Sequence, residues 1–327
     1  MSGGEFESIA RLFRPLTGGA PEALSLLDDA AVIVPRPGCE LVVTADAIVE
    51  GVHFLRGDPP ELVARKLLRV NLSDLAAKAA EPDGWFLTVA WPAHWDGAAR
   101  AAFAAGLAQD QAEFGLRLFG GDTVSTPGPF AASATLLGWA PLGSTVKRST
   151  ARPGDVLLVS GTIGDGRLGL LSAQGGLPEL GPGARAWLAE RYRLPRPRLA
   201  LREALRAHAS AAADVSDGLL ADAGHIGEAS GTGIAVRLDA MPLSDEARAW
   251  LALQPDEAAA RLDLATGGDD YEIVCTARSD RVEALRRAAA RAFVPLTVIG
   301  EVTAAPGLEV SFNGARLEAA RTGWSHP

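Results

Sequence analysis

The strongest constraint on the fold is an alternation of short β-branched runs with longer segments of helical period. Strand-like runs at Leu41 to Thr44 and Phe86 to Ala90 alternate with helical segments at Pro60 to Ala80 and Trp95 to Phe114. A long segment with a 3.6-residue apolar repeat suits a helix, whereas a short β-branched run suits a strand. The pattern therefore predicts a mixed α/β fold.

The chain length predicts two domains, because 327 residues at about 150 per domain give two hydrophobic cores. A polar, turn-rich segment from Arg148 to Asp155 precedes a new strand at Val156 to Ser160. We therefore expect an N-terminal domain over residues 1–148 and a C-terminal domain over 149–327. In the C-terminal domain, helices are expected at 199–208 and 217–230, and strands at 234–238, 272–276 and 296–299.

The charge balance argues against a nucleic-acid partner. The chain has 31 Lys and Arg against 40 Asp and Glu, which gives a formal net charge of −9. Only three of the cations are lysines (Lys66, Lys78 and Lys147), and none of them follows a glycine. A phosphate-binding loop of the G-x-x-x-x-G-K-[ST] type is therefore excluded.

The cysteines and the hydropathy pattern indicate a cytoplasmic protein that does not enter membranes. Cys39 and Cys275 are far apart and fit no C-x-x-C pattern, so neither a disulfide framework nor a zinc site is expected. No apolar run approaches the roughly 18 residues of a membrane helix, and the first residues lack the pattern of a secretory signal.

Several acidic turns follow strand-like or strongly apolar segments. Each alone has an ordinary explanation, because Asp caps helices and favours turns, and Asp217 is placed to cap the helix that follows it. The full set comprises Asp28-Asp29, Asp46, Asp122, Asp214 with Asp217, and Asp269-Asp270. Five such sites exceed what turn formation explains, so the set indicates a shared function.

Asp74 is placed on the apolar face of a predicted helix, which it shares with Val63, Leu67, Val70 and Ala77. A carboxylate buried without a partner is costly, so Asp74 must be protonated, paired with a base or bound to a cation. Carboxylates gathered from several turns are oxygen ligands suited to Mg²⁺, which also bridges to phosphates. The sequence therefore predicts a Mg²⁺ site for phosphorylated ligands.

Short blocks spread over nearly the whole chain carry a family resemblance. They are Asp28 to Val32, Thr44-Ala45-Asp46, Glu50 to Phe54, Val70 to Ala76, Gly120 to Thr123, Arg148 to Asp155, Ser160 to Asp165, Asp214 to Leu219, Gly267 to Glu272 and Gly323 to His326. Together they resemble the thiamine-monophosphate kinase family, of the superfamily that includes aminoimidazole ribonucleotide synthetase and selenophosphate synthetase. The His53 block, the Gly-Gly-Asp-Asp-Tyr-Glu block and the Gly-Trp tail point to this member.

The resemblance implies a two-domain architecture with an aminoimidazole-ribonucleotide-synthetase-like fold. It also implies a homodimer in which the N-terminal sheets of two chains pair into a barrel, with ATP bound near the subunit interface. The implied reaction is transfer of the γ-phosphoryl group of ATP to thiamine monophosphate, which gives thiamine diphosphate and ADP. Several Mg²⁺ ions are implied in the site.

The same resemblance assigns roles to individual residues. The implied Mg²⁺ ligands are Asp29, Thr44, Ala45, Asp46, Asp74, Asp122, Asp214 and Asp217. The implied ATP contacts are Gly121, Asp122, Arg148 and Ser216, and the implied thiamine monophosphate contacts are His53, Asp269 and Trp324. Catalysis is implied for Asp46, Asp122, Asp217 and Arg148. Ala45 stands where the family usually has Thr, so a metal contact there must come from the backbone carbonyl or be lost.

Two other functions remain open at this point. A related ATP-dependent synthetase would share the acidic set, although selenophosphate chemistry wants a reactive Cys in a glycine-rich N-terminal stretch, and Cys39 is not in one. A non-catalytic nucleotide- or cation-binding regulator would also share it. ADP release measured with and without thiamine monophosphate separates the three.

Overall fold

The computed structural model describes residues 5–324, which divide into two compact units. The first comprises the residues up to Leu75 together with Ala80–Gly143, and the second comprises Ala76–Ala79 together with the residues from Ser144 onward. The boundary at Gly143 lies a few residues before the one drawn from the sequence. None of the helices described combines the length and hydrophobicity that crossing a bilayer requires.

The N-terminal unit is built on a four-stranded sheet of order β1-β4-β2-β3, in which only β2 and β3 are parallel. Its edge strands are therefore β1 and β3. The elements are α1 (Glu5–Ser8), β1 (Cys39–Val49), α2 (Pro60–Ala77), β2 (Glu81–Pro92), α3 (Gly97–Phe114), β3 (Arg117–Thr126) and β4 (Ala131–Pro141). Short irregular helical turns cover Ile9–Phe13, Arg14–Thr17 and Pro21–Leu26.

Helices α2 and α3 are joined by a buried ion-pair cluster. The carboxylate of Asp110 on α3 has no exposed surface, and it accepts hydrogen bonds from Arg65 Nε at 2.6 Å and Arg69 Nε at 2.5 Å, both on α2. Two guanidinium groups satisfy the buried charge, which would otherwise be costly. The cluster holds α2 in place, and α2 carries Asn71 and Asp74.

The C-terminal unit contains a seven-stranded mixed sheet of order β11-β10-β7-β9-β5-β8-β6. Its strands are β5 (Val156–Ser160), β6 (Ala211–Asp214), β7 (Gly233–Arg237), β8 (Ile273–Ala277), β9 (Leu296–Thr303), β10 (Gly307–Phe312) and β11 (Ala315–Leu317). Its helices are α4 (Asp165–Ala173), α5 (Pro182–Arg193), α6 (Arg202–His208), α7 (Leu219–Ser230), α8 (Asp245–Leu251), α9 (Glu257–Ala265) and α10 (Val282–Arg291).

Two expectations about helix starts need correction. The helix expected from residue 199 begins with a 3-10 turn, Leu199–Leu201, before α6. The helix expected from Asp217 begins at Leu219, and its N-cap is Gly218, whose φ of 128° lies outside the helical region. The prediction that Asp217 caps this helix is therefore wrong, because Gly218 separates its carboxylate from the first turn.

Candidate active site

One group of predicted site residues lies where β1 meets α2. Thr44 and Asp46 share the half-buried face of β1, and Thr44 Oγ1 donates to Asp74 Oδ2 at 2.5 Å. The fully buried Asn71 accepts the backbone N–H of Asp46 on its Oδ1 at 2.9 Å. Thr44, Asp46 and Asp74 thus lie together, whereas the side chain of Ala45 is on the opposite, exposed face.

His53 follows β1 and is held from two sides. Its Nδ1 accepts the backbone N–H of Val49 at 3.1 Å, and its carbonyl accepts Lys66 Nζ at 3.0 Å. An imidazole whose Nδ1 accepts a hydrogen bond is neutral and carries its proton on Nε2. His53 therefore carries an N–H on Nε2.

A second group lines a cavity of about 300 Å³ within the N-terminal unit. Asp28, Asp29, Gly121 and Asp122 provide its polar side, and its apolar walls include Ile9, Phe13, Leu26, Phe86, Leu118 and Phe119. A concave site with apolar walls and a few convergent polar groups is the usual form of a small-molecule pocket. The structure thus brings Asp29, Gly121 and Asp122 together.

The two groups lie at opposite edges of the sheet. Asp46 on β1 pairs with Ala134 on β4, Ala134 pairs with Leu87 on β2, and Leu87 pairs with Gly121 on β3. Three strand-to-strand steps of about 4.8 Å place Asp46 about 14 Å from the Gly121-Asp122 position. Mg²⁺ binds oxygen at about 2.1 Å. A single N-terminal unit therefore does not place Asp46 and Asp122 on the same ion.

A third group is built around the turn that follows β6. Asp214, at the end of β6, is buried, and residues 215–218 form a turn whose first three carbonyls accept hydrogen bonds from two other segments. Tyr271 N–H donates to the carbonyl of Val215 at 2.7 Å, and Asp269 N–H donates to that of Ser216 at 2.9 Å. We call residues 215–218 the hub turn. It fixes the position of Asp269.

The C-terminal tail is attached to the same turn. Trp324 N–H donates to the carbonyl of Asp217 at 2.9 Å, while its indole is 54% exposed. Only glycine fits at position 323, because a Cβ there would lie 2.5 Å from the Cβ of Ala221 and 2.7 Å from the Asp217 carbonyl oxygen. The structure thus brings Asp217, Asp269 and Trp324 to one turn.

The other side of the hub turn is occupied by Asp222, on the first turn of α7. Asp222 Oδ2 accepts the backbone N–H groups of Ser216, Asp217 and Gly218 at 3.0, 3.1 and 3.2 Å. Burial and the negative charge of Asp217 raise the pKa of Asp222 to about 6, against the lowering effects of these N–H groups and of Arg148. Asp222 is thus the internal acceptor for the hub turn.

The segment 267–272, which carries Asp269, is braced by two buried carboxylates. Asp270 accepts the backbone N–H groups of Gly164 at 2.8 Å and Gly166 at 2.9 Å, and burial raises its pKa well above the ordinary value. Glu272 has no exposed surface and accepts hydrogen bonds from three side chains. The donors are Arg198 Nε at 2.6 Å, Ser160 Oγ at 2.6 Å and Arg191 Nη2 at 3.4 Å.

Arg148 lies close enough to Asp222 to lower the pKa of that carboxyl group. Within residues 5–324, Arg148 Nε is buried and makes no hydrogen bond. An orphaned guanidinium donor is costly and suits an anionic ligand such as a phosphate.

Two family models match this chain. The family model "AIR synthase related protein, N-terminal domain" matches residues 27–140, and "AIR synthase related protein, C-terminal domain" matches residues 152–313. The thiamine-monophosphate kinase of Caulobacter vibrioides is 55% identical over 322 residues, which cover 98% of this chain and 90% of that protein. The chain belongs to the thiamine-monophosphate kinase family.

Solved structures of the family support the assignment. The crystal structure of thiamine-monophosphate kinase from Stenotrophomonas maltophilia K279a superposes with a TM-score of 0.83 at 38% identity, covering 98% of this chain and 99% of that one. The structure of AaThiL complexed with AMPPCP and TMP superposes with a TM-score of 0.78 at 29% identity, covering 90% and 89%. The family resemblance and the two-domain mixed α/β fold drawn from the sequence are confirmed.

The sequence analysis did not single out three residues that hold candidate site residues in place. Asn71 orders Asp46, Asp222 orders the hub turn, and Glu272 anchors the segment of Asp269. Asn71 had a usable signal, since it precedes Asp74 by three residues and so lies on the same face of α2. Asp222 and Glu272 had none, because their partners are backbone N–H groups or side chains distant in sequence.

Proposed function

We propose that this chain transfers the γ-phosphoryl group of ATP to thiamine monophosphate, which yields thiamine diphosphate and ADP. The observation that carries this assignment is the convergence of Asp217, Asp269 and Trp324 on the hub turn. The proposal assigns Asp217 to a cation, Asp269 to the substrate, and the exposed indole of Trp324 to stacking on the substrate. The related AaThiL was solved with AMPPCP and TMP bound, which supports ATP and thiamine monophosphate as the substrates.

The donor set fits Mg²⁺, because carboxylate, hydroxyl and carbonyl oxygens are the ligands that this cation prefers. Several such ions are proposed, and the residues that would hold them are Asp29, Thr44, Asp46, Asp74 and Asp122 with the Ala45 carbonyl in the N-terminal unit, and Asp214 and Asp217 in the C-terminal unit. When bound, Mg²⁺ supplies the positive charge that offsets the repulsion between two anionic substrates.

The remaining proposed residues bind and orient the substrates. Arg148 provides a guanidinium for a phosphate of ATP, and Gly121 and Ser216 are the other proposed ATP contacts. His53 donates from Nε2 and Asp269 accepts, which orients thiamine monophosphate, and the exposed indole of Trp324 stacks on its flat rings. The attacking phosphate oxygen is already an anion, so the chain needs no general base.

We propose a homodimer whose N-terminal sheets close into a barrel. The edge strands β1 and β3 have no further partner strand within the described N-terminal unit, and the uncovered face of β1 exposes Leu41 and Val43 at 43% and 55%. Exposed apolar edges of this kind favour pairing with another strand. Because ATP is a cytoplasmic co-substrate, we also place the dimer in the cytoplasm.

Dimerisation also offers a way to unite the separated acids. If β1 of one chain lies beside β3 of its partner, Asp46 and Asp74 of one chain meet Gly121 and Asp122 of the other. Each dimer would then hold two shared sites, as twofold symmetry requires.

The reaction is tested with purified protein, ATP and thiamine monophosphate, by measuring thiamine diphosphate and ADP together. We expect one ADP per thiamine diphosphate, no ADP without thiamine monophosphate, and no turnover after chelation of divalent cations, with recovery on addition of Mg²⁺. ADP release that ignores thiamine monophosphate would instead support a different ATP-dependent synthetase. Nucleotide binding without turnover would support a regulator.

The Trp324→Ala substitution is expected to raise the KM for thiamine monophosphate by about 3- to 30-fold, because it removes cation–π stacking that contributes roughly 0.5–2 kcal/mol. The kcat and Tm should change little, since the indole is exposed and the tail is held by the backbone. Steady-state kinetics and thermal unfolding measure these quantities. Phe293→Ala, at a 93% exposed aromatic, is the matched control. A lower Tm with an unchanged KM would show that Trp324 is only an anchor.

A further inference from the structure

The carboxylate of Asp222 is buried, with the residue 1% exposed, and it faces the inner side of the hub turn. Its Oδ2 accepts three successive backbone N–H groups, those of Ser216, Asp217 and Gly218. Three consecutive N–H groups converging on one oxygen form a concave anion-binding arrangement. In this turn the anion is supplied by the chain itself.

The outer side of the same turn contacts residues of two other segments, the segment 269–271 and the C-terminal tail. The carbonyls of Val215, Ser216 and Asp217 accept the N–H groups of Tyr271, Asp269 and Trp324, at 2.7, 2.9 and 2.9 Å. The inner and outer hydrogen bonds involve the same short stretch of backbone, so a rotation of its peptide planes would disturb both sets. The direction of the three carbonyls therefore depends on the acceptor at Asp222.

We propose that Asp222 is a positioning residue for substrate recognition. It acts through the hub turn, because its charged oxygen holds the turn in the one orientation that docks both the Asp269 segment and the Trp324 tail. Hydrogen bonds to an ionised acceptor are about twice as strong as neutral ones, which suits one oxygen that serves three donors. The proposal rests on the proposed function, since it takes Asp269 and Trp324 as contacts of thiamine monophosphate.

Asp222 has a competing role as a direct cation ligand. Ligand atoms of Asp217, Asp222 and His225 all lie within 4.8 Å of one another. Against this role, Asp222 Oδ2 already has three donors, and the N–H groups that point at it repel a cation. The two roles predict different results for the same variant.

The test compares the full-length wild type with Asp222→Asn, which keeps the shape and removes the charge. We expect amide hydrogen exchange in the peptides that contain residues 215–218, 269–271 and 324 to become about tenfold faster, and KM for thiamine monophosphate to rise about tenfold, as weakening of a charge-assisted hydrogen bond predicts. Asp256→Asn is the matched control, because Asp256 also accepts a backbone N–H, from Ala259, on the exposed N-cap of α9.

Several outcomes would overturn the proposal. Unchanged exchange in the three peptides together with weaker activation by Mg²⁺ would make Asp222 a cation ligand. An unchanged KM with a lower kcat per mole of protein would show that Asp222 only stabilises the fold. A preparation in which fewer molecules are folded has a lower apparent kcat and an unchanged KM. A wild type that forms no thiamine diphosphate contradicts the proposed function, whereas an active wild type with either of these results contradicts the positioning role alone.

If the Asp222→Asn protein does not fold, a second variant tests the docking of the C-terminal tail on the hub turn. Gly323→Ala introduces a Cβ 2.5 Å from the Cβ of Ala221 and 2.7 Å from the carbonyl oxygen of Asp217, and so moves the tail away from the hub turn. We expect the same direction of change, a KM for thiamine monophosphate about tenfold higher. A wild-type KM in Gly323→Ala would show that docking on the hub turn does not govern substrate binding, and it would overturn the proposal.

Discussion

The Asp46→Asn and Asp122→Asn proteins are each expected to lose at least about 100-fold in kcat, and the mixed dimer of the two is expected to recover about half the wild-type rate. The loss follows because each change removes a charged ligand where phosphate charge must be offset. The recovery follows from the separation of the two positions by three strand-to-strand steps within one sheet. If each site takes Asp46 from one chain and Asp122 from the other, one of the two sites in the mixed dimer contains both native acids.

The mixed dimer is obtained by co-expressing the two variants with different affinity tags and purifying on both in turn. Its matched control is the mixed dimer of Asp46→Asn with Asp74→Asn. Those two residues lie together where β1 meets α2, linked through Thr44 and Asn71, so both sites of the control dimer lack one acid. We expect the control to remain inactive. Recovery in neither dimer would show that Asp46 and Asp122 serve a site within one chain.

The fold class could be predicted from local pattern, whereas the sheet order could not. The segments predicted at Pro60 to Ala80 and Val156 to Ser160 are found as α2 and β5, because helical period and β-branched runs are properties of the segment itself. The position of β5 between β8 and β9 depends on pairings with strands more than 100 residues away. Such pairings leave no trace in the periodicity of either strand.

In the candidate site, too, the features of a single segment could be predicted from the sequence, whereas the contacts between distant segments could not. Asp74 could be singled out because a carboxylate on an apolar helix face demands an explanation, and the structure supplies one in the Thr44 hydroxyl. The separation of Asp46 from Asp122 could not be foreseen, because it follows from the sheet order. Asp222 could not be predicted either, because its partners are backbone N–H groups, which have no sequence signature.

The Arg198→Met protein is expected to lose about 3–5 kcal/mol of unfolding free energy, because it leaves the buried Glu272 carboxylate with too little positive charge. Arg198 donates to both carboxylate oxygens, with side-chain exposures of 18% and 0% for the two partners. Denaturant unfolding followed by circular dichroism measures the loss. Arg278→Met is the matched control, since Arg278 and Asp280 are paired at 3.0 Å with exposures of 66% and 57%. It should cost no more than about 1 kcal/mol.

A second substitution separates loss of charge balance from loss of packing. If the penalty arises from an uncompensated charge, adding Glu272→Gln to Arg198→Met should restore at least about half of the lost stability, because the neutral amide no longer needs the guanidinium. If the penalty arises from the packing of the Arg198 side chain, the double variant should be at least as unstable as the single one. Equal losses for Arg198→Met and Arg278→Met would show that Glu272 is satisfied by Arg191 and Ser160 alone. In that case the segment of Asp269 is braced by Asp270 and the hub turn, and not by the buried ion pair.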